Sequence, residues 1–323
     1  MRWMYMNLQL GFLWRECPGG VRLLKVYGDS PCPVLPESIE GQPVREIGRY
    51  CFAERPAPEG KLTLPRGMEQ GQLHPICGNF LEQLTLPDHL HLLDSAAFYN
   101  CRSIRRLEVG PRIDSLGSDL FTNCRSLDCI AVRSTPQAPT GIRKLIGSIS
   151  ADVGVEFLGQ EGQIVASLFF PEYLELLDEN TPAHIFNHSI EGEGYRYRQC
   201  FAGEVFQFSE YDGVFSQALV GESAEKLCRI ALGRLRWPIC LSEQAKQRYL
   251  NYLRAHLLQT CAPLIAARDL DALRFVRNLD ELPPEGLAAV AGACSSAGFG
   301  PGAALFVAGH QSAGRKTYSF DDL

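Results

Sequence analysis

Twelve of the 323 residues are cysteine, yet no two form a Cys-x-x-Cys pair. Zinc ribbons and thioredoxin-like centres need that spacing to bring two thiolates together, so neither is expected. The chain also lacks a basic balance: 31 Lys and Arg face 37 Asp and Glu, a net charge of −6. Nucleic-acid surfaces usually show the opposite bias, so no nucleic-acid partner is expected. A continuous apolar span is missing as well. The uncharged stretch from Gly286 to Gly314 exceeds the ~20 residues that cross a bilayer, but glycines, serines and Pro301 interrupt it. It reads as two short Ala-rich helices joined by Gly298-Phe299-Gly300-Pro301, with no membrane role. The first residues lack the features of a signal peptide. Asn7 and Gln9 break the apolar run, and no small-x-small cleavage site follows. The dispersed cysteines then read as small core residues in a reducing, cytoplasmic setting.

What the sequence does contain is periodicity. Met4, Met6, Leu8, Leu10, Phe12 and Trp14 occupy alternate positions, which places them on one face of a strand. Pro18-Gly19-Gly20 turns the chain into Val21–Tyr27, and the pair reads as a hairpin. A longer repeat follows. Leu84-Thr85-Leu86, Leu107-Glu108-Val109 and Ile130-Ala131-Val132 recur every 23 residues. Leu90 and Ile113, Leu93 and Leu116, Phe98 and Phe121, and Ile104 and Leu127 keep the same interval. Asn100-Cys101-Arg102-Ser103 returns as Asn123-Cys124-Arg125-Ser126. Leu62-Thr63-Leu64-Pro65 reads as an earlier, looser copy. Units this short cannot bury their own apolar residues, so they must stack into a solenoid with a parallel sheet on one side. Phe98 and Phe121 are expected inside, with Cys101 and Cys124 as core packing rather than a metal ladder.

The run from Val34 to Phe52, with Gly41-Gln42-Pro43-Val44 and Ile47-Gly48, resembles the opening unit of BspA-type bacterial leucine-rich repeats. Leu86-Pro87 and Ala97-Phe98 resemble the later units. The likeness covers residues 20 to 135 and weakens at Gly71–Cys77, where the Ala-Phe signature is lost. It implies a recognition scaffold and transfers no catalytic residue. Many members of that family are secreted or surface-bound, which keeps a surface adhesin as one alternative.

Beyond Ser134–Gly141, a Pro- and Gly-containing linker, the period stops. Residues 153–157 and 163–170 read as strands around a turn, and the chain from Glu222 reads as helical. Ala224–Leu235, Ser242–Leu258, Ala266–Val276 and Leu287–Cys294 are the expected helices. The fold class expected is α+β: an amino-terminal leucine-rich-repeat solenoid with a parallel sheet, then an α/β region ending in a helical domain. The boundaries are residues 1–135 for the capped solenoid, 142–220 for mixed β and loop structure, and 221–323 for the helices.

Two candidate sites follow. Outward strand positions carry specificity in a solenoid because inward ones are committed to packing. Here they are Gln83, Thr85, Arg106, Glu108, Cys129 and Ala131, and their modest charge points to a protein partner. The alternative is an enzyme or metal site around His184, His188, Arg196, Arg198 and Cys200. His184 and His188 would share a helix face, and Cys200 would be the nucleophile. The glutamate of a His-Glu-x-x-His site is absent, since position 185 is isoleucine. The histidines read more simply as surface residues, followed by a strand whose Tyr and Arg alternate. The leading expectation is a non-enzymatic scaffold without a cofactor, its oligomeric state left open.

Overall fold

The structure is a computed structural model and describes residues 9–69, 71–180 and 185–307. Strands β1 (Gly11–Cys17) and β2 (Gly20–Tyr27) form the antiparallel hairpin that the alternation implies. Gly19 takes φ 77° in its Pro-Gly turn, a conformation that glycine adopts without strain. Gly20 is fixed by crowding instead: a Cβ there would lie 2.1 Å from the Pro43 carbonyl oxygen. The strict alternation holds only in part. Phe12, Leu13 and Trp14 are all buried, with a register shift between Leu13 and Trp14. Met4, Met6 and Leu8 lie outside the described residues.

Next come β3 (Ser38–Ile39), β4 (Gln42–Ile47), β5 (Lys61–Thr63), β6 (Gln83–Thr85) and β7 (Leu92–Leu93). They are followed by β8 (Arg106–Val109), β9 (Ser115–Leu116) and β10 (Cys129–Val132). The solenoid has two strand ladders, where the sequence pointed to one. The expected ladder is β6-β8-β10, in register through Leu84, Leu107 and Ile130. The second runs β5-β1-β2-β4-β7-β9 and is parallel from β2 onward. The hairpin thereby covers the outer edge of β4, as a cap should.

One repeat assignment is corrected. Leu62-Thr63 does not stack beneath Leu84-Thr85; β5 pairs antiparallel with β1. Thr63 Oγ1 accepts the Trp14 indole N–H at 2.9 Å, which ties β5 to the hairpin. The place below β6 is taken by Val34, bridged in parallel to Thr85, with the Leu35 N–H donating to Thr85 O at 2.9 Å.

The interior is built by position within each repeat. Phe52, Phe98 and Phe121 stack with centroids 5.3 and 5.5 Å apart and ring planes within 10°. Phe98 is wholly buried and Phe121 half-buried at the end of the stack. Beside it the Cys101 thiol donates to Phe52 O at 3.2 Å and the Cys124 thiol to Phe98 O at 3.1 Å. Each cysteine thus ties its own turn to the one before. Asn100 and Asn123 adopt φ 62° and 63°, the left-handed region that Asn tolerates best after Gly. Their side-chain amides also bond each other at 2.7 Å.

After β10 comes α1 (Ile142–Gly147), then β11 (Val153–Leu158) and β12 (Ile164–Phe170). β11 adds to β10 in parallel, Ile130 opposite Val155, so the solenoid sheet continues past the expected boundary at 135. β12 then returns antiparallel and ends the sheet. Strands β13 (Leu174–Asn180) and β14 (Ile185–Glu191) pair separately. Helix α2 (Gly194–Arg198) and the short pair β15 (Phe201–Ala202) and β16 (Val205–Phe206) follow.

The chain divides into two compact units, residues 1–214 and 215–323, with the division inside α3 (Phe208–Gly221). The second unit holds α4 (Ala224–Arg236), α5 (Glu243–Ala255), α6 (Leu257–Ala266), α7 (Leu270–Arg277), α8 (Pro284–Ser296) and α9 (Gly300–Val307). Ser223, Ser242 and Asp269 cap α4, α5 and α7 by accepting a backbone N–H three residues on. Two helix boundaries differ from expectation. The helix from Ser242 breaks at His256, where φ is −124°, and Asp269 starts a new helix inside the span 266–276. Helices α8 and α9 meet around Gly298–Gly300, as the Ala- and Gly-rich stretch suggested. Among the described residues, no helix is long and apolar enough to cross a membrane.

Candidate functional site

Strand alternation sets the outward face of β6-β8-β10. Leu84, Leu107 and Ile130 are buried beneath it, while Thr85, Arg106, Glu108 and Cys129 are half-buried and Gln83 is exposed. The face is cross-linked by charge. Arg106 reaches Glu156 on β11 at 2.7 Å and Cys129 Sγ at 3.1 Å. Arg133 pairs with Glu108 at 2.8 Å and with Asp88 at 2.6 Å. Burial opposes the Arg106 charge, but the Glu156 and Glu108 carboxylates, joined at high pH by the Cys129 thiolate, more than offset it and hold its pKa above the ordinary value. Burial pushes the Cys129 thiol up to about 12, so it stays protonated. Ala131 corrects an expectation. It is wholly buried between Glu108 and Glu156, which the two arginines hold in place. At Gln83 and Thr85 the backbone is paired with residues 31–35, and among the described residues no side-chain hydrogen bond engages either residue.

Two of the clefts on the first unit are lined by several cations. One, of about 610 Å³, is lined by Arg45, Asp88, His89, His91, Arg112 and Arg133 among others. Its cations are largely committed: Arg45 donates to Gly19 O and His89 O, and Arg133 is held by two carboxylates. The other, of about 250 Å³, is lined by Arg15, Arg22, Lys25, Arg49, Tyr50, Arg55 and Asp94 among others. Arg22 is engaged by Glu46 and by Asp94. Lys25 is 3% exposed and donates to Tyr50 O at 2.8 Å and Ala53 O at 2.6 Å. Burial lowers its pKa. The Arg49 and Arg55 guanidinium groups lie 5.0 and 5.6 Å from the Tyr50 ring centroid. The sequence reading passed over this cluster. Its signal was a lysine within the apolar strand Val21–Tyr27, together with the Arg49-Tyr50 pair.

The second-half cluster does not assemble as a site among the described residues. His184 and the side chain of His188 lie outside them. Residues 185–191 form a strand, not the helix that was to align the two histidines. Residues 194–198 form a helix, not an alternating strand, and so Tyr197 and Arg198 are buried side by side. Arg198 is a structural clamp, donating to Ile146 O, Ile149 O, Ala151 O, Pro171 O and Gly194 O. Its burial lowers its pKa to about 10. Arg196 instead faces out and pairs with Glu193 at 3.0 Å. Cys200 is buried, and desolvation raises its thiol to about 12, the reverse of an activated nucleophile. Among the described residues, no group of three His, Cys, Asp or Glu could hold a metal ion.

Stacked short strands, an aromatic ladder and a thiol ladder at one repeat interval define a leucine-rich-repeat solenoid. More particularly, residues 35–138 match the family described as a BspA type leucine rich repeat region, in six copies. The crystal structure of the T. pallidum leucine rich repeat protein TpLRR is similar at 18% identity, with a TM-score of 0.23. That similarity covers 37% of this chain and 68% of the other. None of the curated proteins matches the sequence.

Proposed function

We propose that the solenoid is a non-enzymatic scaffold that binds a protein through the outward face of β6-β8-β10. One observation carries this reading: Gln83 and Thr85 continue the face of Arg106 and Glu108 in register, yet among the described residues no side-chain hydrogen bond engages either of them. Repeat solenoids offer such faces for recognition because packing does not constrain the outward positions. The test is affinity capture by the full chain and by its Thr85→Arg variant. Partners retained by the wild type and lost from the variant, at equal melting temperature, are the expected result. Equal capture by both would reject this face.

The location that fits this reading is a reducing one, the cytoplasm. Cys101 and Cys124 are used as thiol donors inside the repeat, a role that an oxidised sulfur cannot fill. Thiol titration of denatured, unreduced protein from its native source should find all twelve cysteines free. Recovery of fewer than ten would favour an exported adhesin.

A further inference from the structure

A chain of net charge −6 keeps a cleft walled by five cations, and that cleft has a use the repeat architecture does not require. Arg22 is neutralised there by Glu46 and Asp94. Among the described residues, no carboxylate pairs with Arg15, Lys25, Arg49 or Arg55. Lys25 is the telling member. A fully buried ammonium with no counter-ion is costly unless something compensates it. Two of its three N–H groups are taken by carbonyls. Those carbonyls do not depend on it, because Tyr50 O also accepts from Ala53 N and Ala53 O from Arg55 N. Packing therefore does not explain the charge.

Tyr50 supplies an independent observation. Its φ of 57° is matched by 55° at Ala96 and 56° at Asp119, so the repeat requires a left-handed residue there. A small or polar residue serves at the later turns. Only at this turn does the position carry an aromatic ring, set between Arg49 and Arg55 with Tyr99 against it at 6.2 Å. The ring orders two guanidinium groups beside the mouth of the cleft, and Pro56 and Pro58 add an apolar rim. Guanidinium groups held in this way are suited to two-point recognition of carboxylates.

We propose that this cleft binds an acidic peptide segment of a protein partner, one carboxylate entering toward Lys25 and its neighbours pairing with Arg15, Arg49 and Arg55. The proposal rests on the scaffold reading only in taking a protein as the source of the segment. It adds a second contact, distinct from the strand face.

The experiment titrates the full chain into fluorescein-labelled hexaglutamate at low salt and follows anisotropy. Binding by the wild type, weakened ~10-fold or more in Arg49→Glu/Arg55→Glu, is the expected result. Arg102→Glu/Arg125→Glu makes the same change in net charge at exposed repeat positions and should leave the affinity within a factor of about two. Absence of binding by the wild type, or equal weakening by both double variants, overturns the proposal. So does binding of inorganic phosphate without binding of the peptide. Failure here, with the Thr85→Arg effect intact, rejects the cleft and leaves the strand face standing; the converse result rejects only the face.

Discussion

Among single residues, the cysteines have the clearest thermodynamic role. Burial raises Cys51, Cys124, Cys129, Cys200 and Cys261 to about 12 from the usual 9.0, and Cys101 rises further. Below pH 9 these thiols are protonated whether the chain is folded or not, and they make no difference to stability with pH. Above pH 9 the unfolded chain releases protons that the folded chain retains, so stability falls as pH rises toward the folded values. Each such thiol adds a slope of ~1.4 kcal/mol per pH unit in that window. Urea denaturation at pH 7.5 and pH 10 should show this loss in the wild type and a smaller one in Cys124→Ala. The variant should also be less stable at pH 7.5 by ~1 kcal/mol, for its missing bond to Phe98 O. A wild-type stability that is flat from pH 7.5 to pH 10 would contradict the account.

Among elements, the phenylalanine stack joins one turn of the solenoid to the next. Phe98 is wholly buried between Phe52 and Phe121, so Phe98→Ala empties the middle of the stack. Its cost should be ~3–5 kcal/mol. Phe121→Ala, at the half-buried end, should cost less than half of that, and equal costs measured by chemical denaturation would argue against a stack that acts as a ladder. What could be read from the sequence follows the same logic. Strands β6, β8 and β10 were legible because period two within each and 23 residues between them coincide on Leu84, Leu107 and Ile130. The second ladder was hidden because β7 and β9 are two residues long, too short for alternation to appear. At 194–198, Tyr and Arg alternate in the sequence as a strand would, yet the segment forms a helical turn that buries the neighbours Tyr197 and Arg198 together. Of the outward face, the register was legible and Ala131 was not. It lies between Glu108 and Glu156 in the ladder, which are held by Arg133 and Arg106, an arrangement of residues up to 50 positions apart. Of the cleft at Tyr50, the sequence carried single signals, Lys25 in an apolar strand and the Arg49-Tyr50 pair, but not their convergence, because β1, β2 and the turn after β4 meet there only once the hairpin has capped the solenoid.

At the scale of the whole molecule, the question is where the repeat sheet stops. A leucine-rich-repeat edge left unpaired exposes a row of N–H and C=O groups that invites association. Here β10 is covered by β11, and β11 by the returning β12. The next edge is closed by a side chain: the Tyr211 hydroxyl donates to Phe169 O at 2.6 Å and accepts from Phe169 N at 3.1 Å. The residues after 135 are thus the carboxy-terminal cap of the solenoid, in the way the hairpin is its amino-terminal cap. A fragment of residues 1–135 should accordingly self-associate, whereas 1–214, which keeps β11, β12 and Tyr211, should elute as a monomer in size-exclusion chromatography with light scattering. Amide exchange at Cys129–Val132 should be faster in a dilute sample of the short fragment than in 1–214. A monomeric short fragment with equal protection at those amides would show that β10 closes the sheet unaided. The outcome also governs how partners are sought. A bait cut at residue 135 or 140 presents the β10 edge, and what it captures reports that edge in addition to Gln83 and Thr85, whereas the full chain keeps that edge covered.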